Sequence, residues 1–182
     1  MARVPELVPE KLSAEQKRVY AEIQNRVRGG TVRGPFAALL NAPNVADAAV
    51  RLYSAFRDAK LEKRLFELMI LVVARNASAQ FEWFAHAPRA IEAGISAEAV
   101  EAIRRHHTPN LTREDERLVY DTVLELSVQK RLSQASYDRA LAALGMEQLV
   151  ELIAGAGFYT MLALTINAFD VDVPGGARPL PD

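Results

Sequence analysis

The sequence predicts an all-α protein, a single-domain bundle of about eight helices. Three observations carry this. Apolar residues recur at helical spacing along most of the chain. Alternating β-branched runs are few, and no hairpin dipeptide such as Asn-Gly occurs. Most prolines and glycines fall near the ends or at junctions between the periodic stretches, where helices start and stop.

The elements follow in order. Ser13, Ala14, Glu15 and Gln16 read as a capping box, opening a helix that runs to about Val27. Gly29 and Gly30 then end it. Pro35 opens a short helical turn through Leu40, and Pro43 opens a helix through about Asp58. Two longer helices are expected at 61–75 and 79–93, the second closed by Gly94 in the position after its last turn. Ser96 starts the next, which ends before Thr108. Thr112, with Asp115 three residues on, starts another that ends near Lys130. Ser133 begins a helix that stops at Gly145, and 146–168 forms the last and most apolar one. The expected organisation is an arm at 1–12, a helical domain at 13–170 and an extended or disordered tail at 171–182.

Composition narrows the function classes. The 182 residues carry a formal net charge of -1 with the two signs interleaved, as in Arg113, Glu114, Asp115, Glu116 and Arg117. No basic run suggests a phosphate-binding face, so no nucleic-acid partner is expected. There is no cysteine, which excludes disulfides, thiolate nucleophiles and thiolate-bound metals. The apolar run 68–74 is far shorter than the roughly 20 residues of a membrane span, so no membrane partner is expected. The first ten residues lack the apolar core of a signal peptide, and the expected location is the cytoplasm.

A few polar residues sit awkwardly in apolar helices. Glu67 lies within a stretch apolar on most of its circumference. Two readings fit: an ion pair with Lys63 or Arg64 at a solvated edge, or a buried carboxylate that needs a partner. Glu82 and His86 are four residues apart, on one helix face and within mutual reach. A carboxylate beside an imidazole fixes its tautomer and raises its basicity, which prepares a general base, but the same spacing suits a structural pair. Phe81, Trp83 and Phe84 surround them with aromatic surface, as in a partly desolvated pocket. His106 and His107 read as capping or surface residues at a helix end. Glu-x-x-x-His alone is a weak metal signal, and no metal site is expected. A glycine-rich phosphate loop and a Gly-x-Ser-x-Gly elbow are both missing from the sequence.

Glu67 with the following Leu-Met-Ile-Leu-Val-Val-Ala, then Phe81 to His86, then Ala90 to Ser96, resembles the carboxymuconolactone decarboxylase family over about 61–103. The resemblance implies an alkylhydroperoxidase D-like helical fold and a homo-oligomer, a homotrimer or homohexamer. In the alkylhydroperoxidase D branch a glutamate precedes Cys-x-x-Cys and a histidine. Here the glutamate and histidine fall on Glu67 and His86, while the cysteine positions hold Ala79 and Glu82. Dithiol peroxidase chemistry therefore does not carry over. The decarboxylase branch is more similar, with a Glu followed four residues later by a His. It implies cofactor-free acid-base catalysis, a lyase reaction on a small carboxylated lactone or related ring acid.

In that reading His86 moves the proton and Glu82 orients it. Glu67 hydrogen-bonds to His86 or serves as a second carboxyl group. Phe56, Trp83 and Phe84 are candidate pocket walls, and Arg75 or Arg89 would clamp a substrate carboxylate. The alternative is a non-catalytic ligand-binding or assembly protein that keeps the fold without the reaction, grouped with peroxidases by family alone.

Overall fold

Helix boundaries follow local chemistry closely. The computed structural model describes residues 3–5, 7–27 and 30–181. Among the described residues the α-helices are α1 (Ala14–Arg26), α2 (Pro35–Leu39), α3 (Pro43–Arg57), α4 (Lys63–Asn76), α5 (Gln80–Glu92), α6 (Ala97–Arg104), α7 (Glu114–Gln129) and α8 (Gln134–Ala168), with no strand. The all-α architecture expected from the sequence is the one found among the described residues. The chain divides into two compact units: Met1–Asp58 with Thr165–Asp172, and Ala59–Leu164 with Val173–Asp182. This division cuts across the expected boundaries at 12 and 170.

The first unit is held by α1, α2 and α3. The Ser13 capping box forms in full: Gln16 N donates to Ser13 Oγ at 3.1 Å, and Ser13 N donates to Gln16 Oε1 at 3.0 Å. The Gln16 amide also donates to the Leu40 carbonyl, tying α1 to the end of α2. Proline sits at the first position of both α2 and α3, where its missing N–H costs nothing. Val19 and Ile23 of α1 pack with Ala46, Ala49 and Val50 of α3, all buried. Near the chain start, Arg3 N donates to the Phe169 carbonyl. The α1 stop expected at Gly29 falls outside the described residues. Val27 is the C-cap.

The second unit is built around α4, of which 11 of 14 residues are buried. A helix apolar nearly all round belongs in a core. Leu68, Met69, Ile70 and Leu71 are at most 1% exposed, and burying each contributes about 1.5–3 kcal/mol. α5, α6 and α7 pack on α4. Gly94 ends α5 at φ 110°, left-handed as expected. Ser96 Oγ accepts from Ala99 N to start α6.

One expected start is displaced. α7 begins at Glu114, capped by the backbone of Arg113, not at Thr112. Asp115 and Glu116 turn instead to Arg64 of α4, at 2.6 Å each. α8 is interrupted at Gly145, at φ 73°, where the sequence places a boundary. Among the described residues α8 is the one helix long and apolar enough to cross a membrane by length and composition, unlike the 68–74 run; half of its most apolar stretch is buried. The face of α8 toward α4 needs Gly155: a Cβ there would lie 2.8 Å from Met69 Cε and 3.1 Å from Phe66 Cε2. The tail is anchored, with Leu180 buried and exchanging two hydrogen bonds with the Gln80 side chain.

Candidate functional site

The turn at 77–79 brings α5 back along α4, with Ser78 in the left-handed region at φ 52°. This return sets His86 of α5 against Glu67 of α4. His86 Nδ1 and Glu67 Oε2 are 2.8 Å apart, and the two side chains are only 10% and 9% exposed. With Glu67 ionised, Nδ1–H donates, the tautomer is fixed and Nε2 carries the lone pair. An isolated carboxylate this deeply buried would be costly, and the imidazole supplies the partner it needs. The ion pair of Glu67 with Lys63 or Arg64 does not form. Arg64 is occupied by Glu62, Asp115 and Glu116.

A residue the sequence reading missed completes the wall. Tyr159 of α8, 5% exposed, meets the His86 ring edge to face at a centroid distance of 5.3 Å. Phe66 and Phe158 pack edge to face on the same tyrosine. An aromatic inside the most apolar helix gives no sign of which helix it will meet, so only the fold reveals this contact.

Glu82 behaves differently from its expected role. It is 3% exposed and makes no hydrogen bond to His86; its Oε2 has no partner among the described residues. The carboxylate hydrogen-bonded to the His86 ring is thus Glu67, not Glu82. Burial pushes the Glu82 carboxyl well above its ordinary 4.5, which favours the neutral, proton-bearing form. Glu82 and His86 still share one face of α5, so a carboxyl group pushed toward its neutral form and an oriented imidazole lie a single helical turn apart.

The expected pocket walls and clamps separate. Trp83 is a core residue at 2% exposure, whereas Phe84 is 40% exposed. Phe84 precedes His86 by two residues, which places it about 160° round the helix, away from the imidazole. Phe56 lies on α3, in the first unit, whereas Glu67 and His86 belong to the second. Arg75 lies eight residues beyond Glu67, about 12 Å along α4 at ~1.5 Å per residue. Arg89 follows His86 by three residues on the same face and is partly exposed, without an ion pair among the described residues. Pro88 sits inside α5 beside it and cannot donate to the Phe84 carbonyl. His106 and His107 are exposed beyond α6, as expected. Among the described residues no three His, Asp or Glu side chains converge as metal ligands.

Residues 43–113 match the Carboxymuconolactone decarboxylase family, and the resemblance read from the sequence is borne out over that segment. No curated protein matches the chain. Among solved structures, the apo crystal structure of the debrominase Bmp8 is similar with a TM-score of 0.71 and 16% identity, covering 91% of this chain and 88% of that one. A cysteine-to-alanine variant of Bmp8 in complex with 2,3,4-tribromopyrrole is similar with a TM-score of 0.73 and 16% identity, covering 98% and 96%. At that identity the likeness is one of fold.

Proposed function

We propose that this chain, a carboxymuconolactone decarboxylase family segment set in the debrominase fold, is an enzyme of cofactor-free proton transfer acting on a small carboxylated lactone or related ring acid. The observation that carries the reading is the buried hydrogen bond between Glu67 and His86. A carboxylate holding Nδ1 makes Nε2 the nitrogen that takes and returns a proton. Glu82, neutral by burial, is a second proton source one turn away. Arg89 would hold the substrate carboxylate, a reading supported over Arg75 by its position three residues after His86 on the same face of α5.

In a decarboxylation the bond between the carboxylate and the ring carbon breaks, CO₂ leaves, and the electron pair remains on carbon as a ring-stabilised carbanion. A proton from imidazolium or from the Glu82 carboxyl then quenches it. A substrate that is a small ring is supported by the debrominase neighbour, which accommodates 2,3,4-tribromopyrrole. The thiol route stays closed to this chain, since it has no cysteine.

Self-association as a homotrimer or homohexamer belongs to the same proposal. Met146, Val150, Ile153 and Leu164, between 37% and 62% exposed, form one apolar stripe on α8. Val150→Asp should shift the chain to monomer in sedimentation equilibrium; a wild-type chain that is already monomeric would remove this part.

The test of the reaction is incubation with carboxylated lactones and ring acids in D₂O, followed by NMR. The expected result is CO₂ loss with deuterium on the carbon that carried it. Ligands that raise the unfolding temperature but are never turned over would make the protein a binder instead.

A further inference from the structure

The last turn of α4 holds a buried cation with no counter-charge among the described residues. Arg75 is 6% exposed, and its Nε has no hydrogen-bond partner. Its one side-chain bond runs from Nη1 to the Ser78 hydroxyl at 3.3 Å. No carboxylate pairs with it among the described residues. Buried charges are otherwise paired or hydrogen-bonded, because desolvating an unpartnered ion is costly.

The surroundings add positive charge. Arg104 and Arg75 repel one another, and His106 also feels Arg75. The acid beside Arg104 is already engaged: Glu101 accepts from Arg104 at 2.6 and 2.8 Å and also from Arg105. Arg104 Nη1 donates to the Pro179 carbonyl at 3.0 Å. Two residues past Ser78, α5 starts with Ala79 as its N-cap and no side-chain acceptor for its first amides. The tail closes over this end through Leu180 and Gln80.

We propose that the turn between α4 and α5 is a binding site for a small oxyanion, held by the Arg75 guanidinium and the Ser78 hydroxyl, with Arg104 and His106 adding positive potential. A planar guanidinium with an unused Nε–H presents the fork that carboxylates and phosphates accept side by side. The uncapped start of α5 favours the same charge. The site is separate from the reaction at His86. The Arg75 backbone lies eight residues beyond Glu67, about 12 Å along α4 at ~1.5 Å per residue, and the variants below distinguish the two sites.

The test uses full-length protein and ¹H–¹⁵N spectra of arginine Nε–Hε groups, titrated with inorganic phosphate at constant ionic strength set by chloride. The Arg75 signal, assigned by through-bond correlation, should shift and saturate. Arg75→Lys keeps a charge but loses the fork, and should weaken phosphate roughly tenfold. His86→Ala should leave phosphate binding unchanged, which keeps this site independent of the proposed reaction. If ring acids alone shift the signal and His86→Ala abolishes it, the oxyanion is the carboxylate of the reacting substrate, and a separate site is overturned. An Arg75 signal indifferent to phosphate and ring acids alike, or equal phosphate affinity in Arg75→Lys, overturns the anion site altogether.

Discussion

At the first turn of α4, Arg64 is 4% exposed and donates to Glu62, Asp115 and Glu116. At the last turn, Arg75 is 6% exposed and, among the described residues, donates to the hydroxyl of Ser78. Among the described residues one helix thus carries two buried guanidiniums, one paired with carboxylates and one with none. The paired end serves structure: it fastens α4 to the start of α7, and Gly94 fits beside it with a would-be Cβ 3.5 Å from Arg64 Cδ. The other end is the one proposed to take an oxyanion. Between them lies the buried hydrogen-bonded pair of Glu67 and His86.

Substitutions can break this contrast. Arg64→Met should have the largest effect, because it strands Glu116, 5% exposed, without its cation. Removing one partner of a buried pair costs about 3–5 kcal/mol, to be read from urea unfolding. A loss under about 1 kcal/mol would mean that the network is no more than a surface pair. Midway along α4, Gly155→Ala should cost about 1–3 kcal/mol by overpacking. The low end of that range applies if the Met69 methyl group moves aside, since it is the far end of a flexible side chain.

The comparison extends to the two buried glutamates. Glu67 has its imidazole, whereas Glu82 Oε2 has no partner among the described residues and its carboxyl is pushed up by burial. The folded chain therefore holds the Glu82 proton more tightly than the unfolded chain does. Stability from this group is complete below its ordinary 4.5 and is lost as pH rises through the folded value. Glu82→Gln cannot ionise, so its unfolding temperature relative to wild type should climb between pH 4 and pH 8. A flat difference across that range would show that Glu82 has found a partner. The smallest effect is expected at the Arg75 end. In buffer without oxyanions, Arg75→Met should change stability by less than about 1 kcal/mol, or increase it, because no paired charge is stranded. A loss as large as that of Arg64→Met would erase the difference between the two ends.

Much of this was legible from residue spacing. The Ser13 box, the proline starts of α2 and α3, the Gly94 stop and the Gly145 break are local signals, complete within a few residues. Glu67 and His86 stood out because polar groups in apolar helices need an explanation. Their pairing was harder to read. Spacing of four joined His86 to Glu82 on its own helix, and spacing of three or four joined Glu67 to Lys63 or Arg64. The structure chooses the partner across the α4 and α5 contact in one case and the α7 carboxylates in the other. Sequence separations of 19, 51 and 52 residues carry these bonds, and no helical period encodes them. Tyr159 and the empty fork of Arg75 were hidden for the same reason.

The most direct test of the central claim is turnover of a carboxylated ring substrate by wild type, Glu67→Gln, Glu82→Ala and His86→Ala, each checked for folding by circular dichroism. Proton transfer at the pair of Glu67 and His86 predicts a fall of about 10²–10⁴-fold in His86→Ala, and a smaller but clear loss in Glu67→Gln. Folded Glu67→Gln and His86→Ala proteins that turn over at the wild-type rate would contradict it.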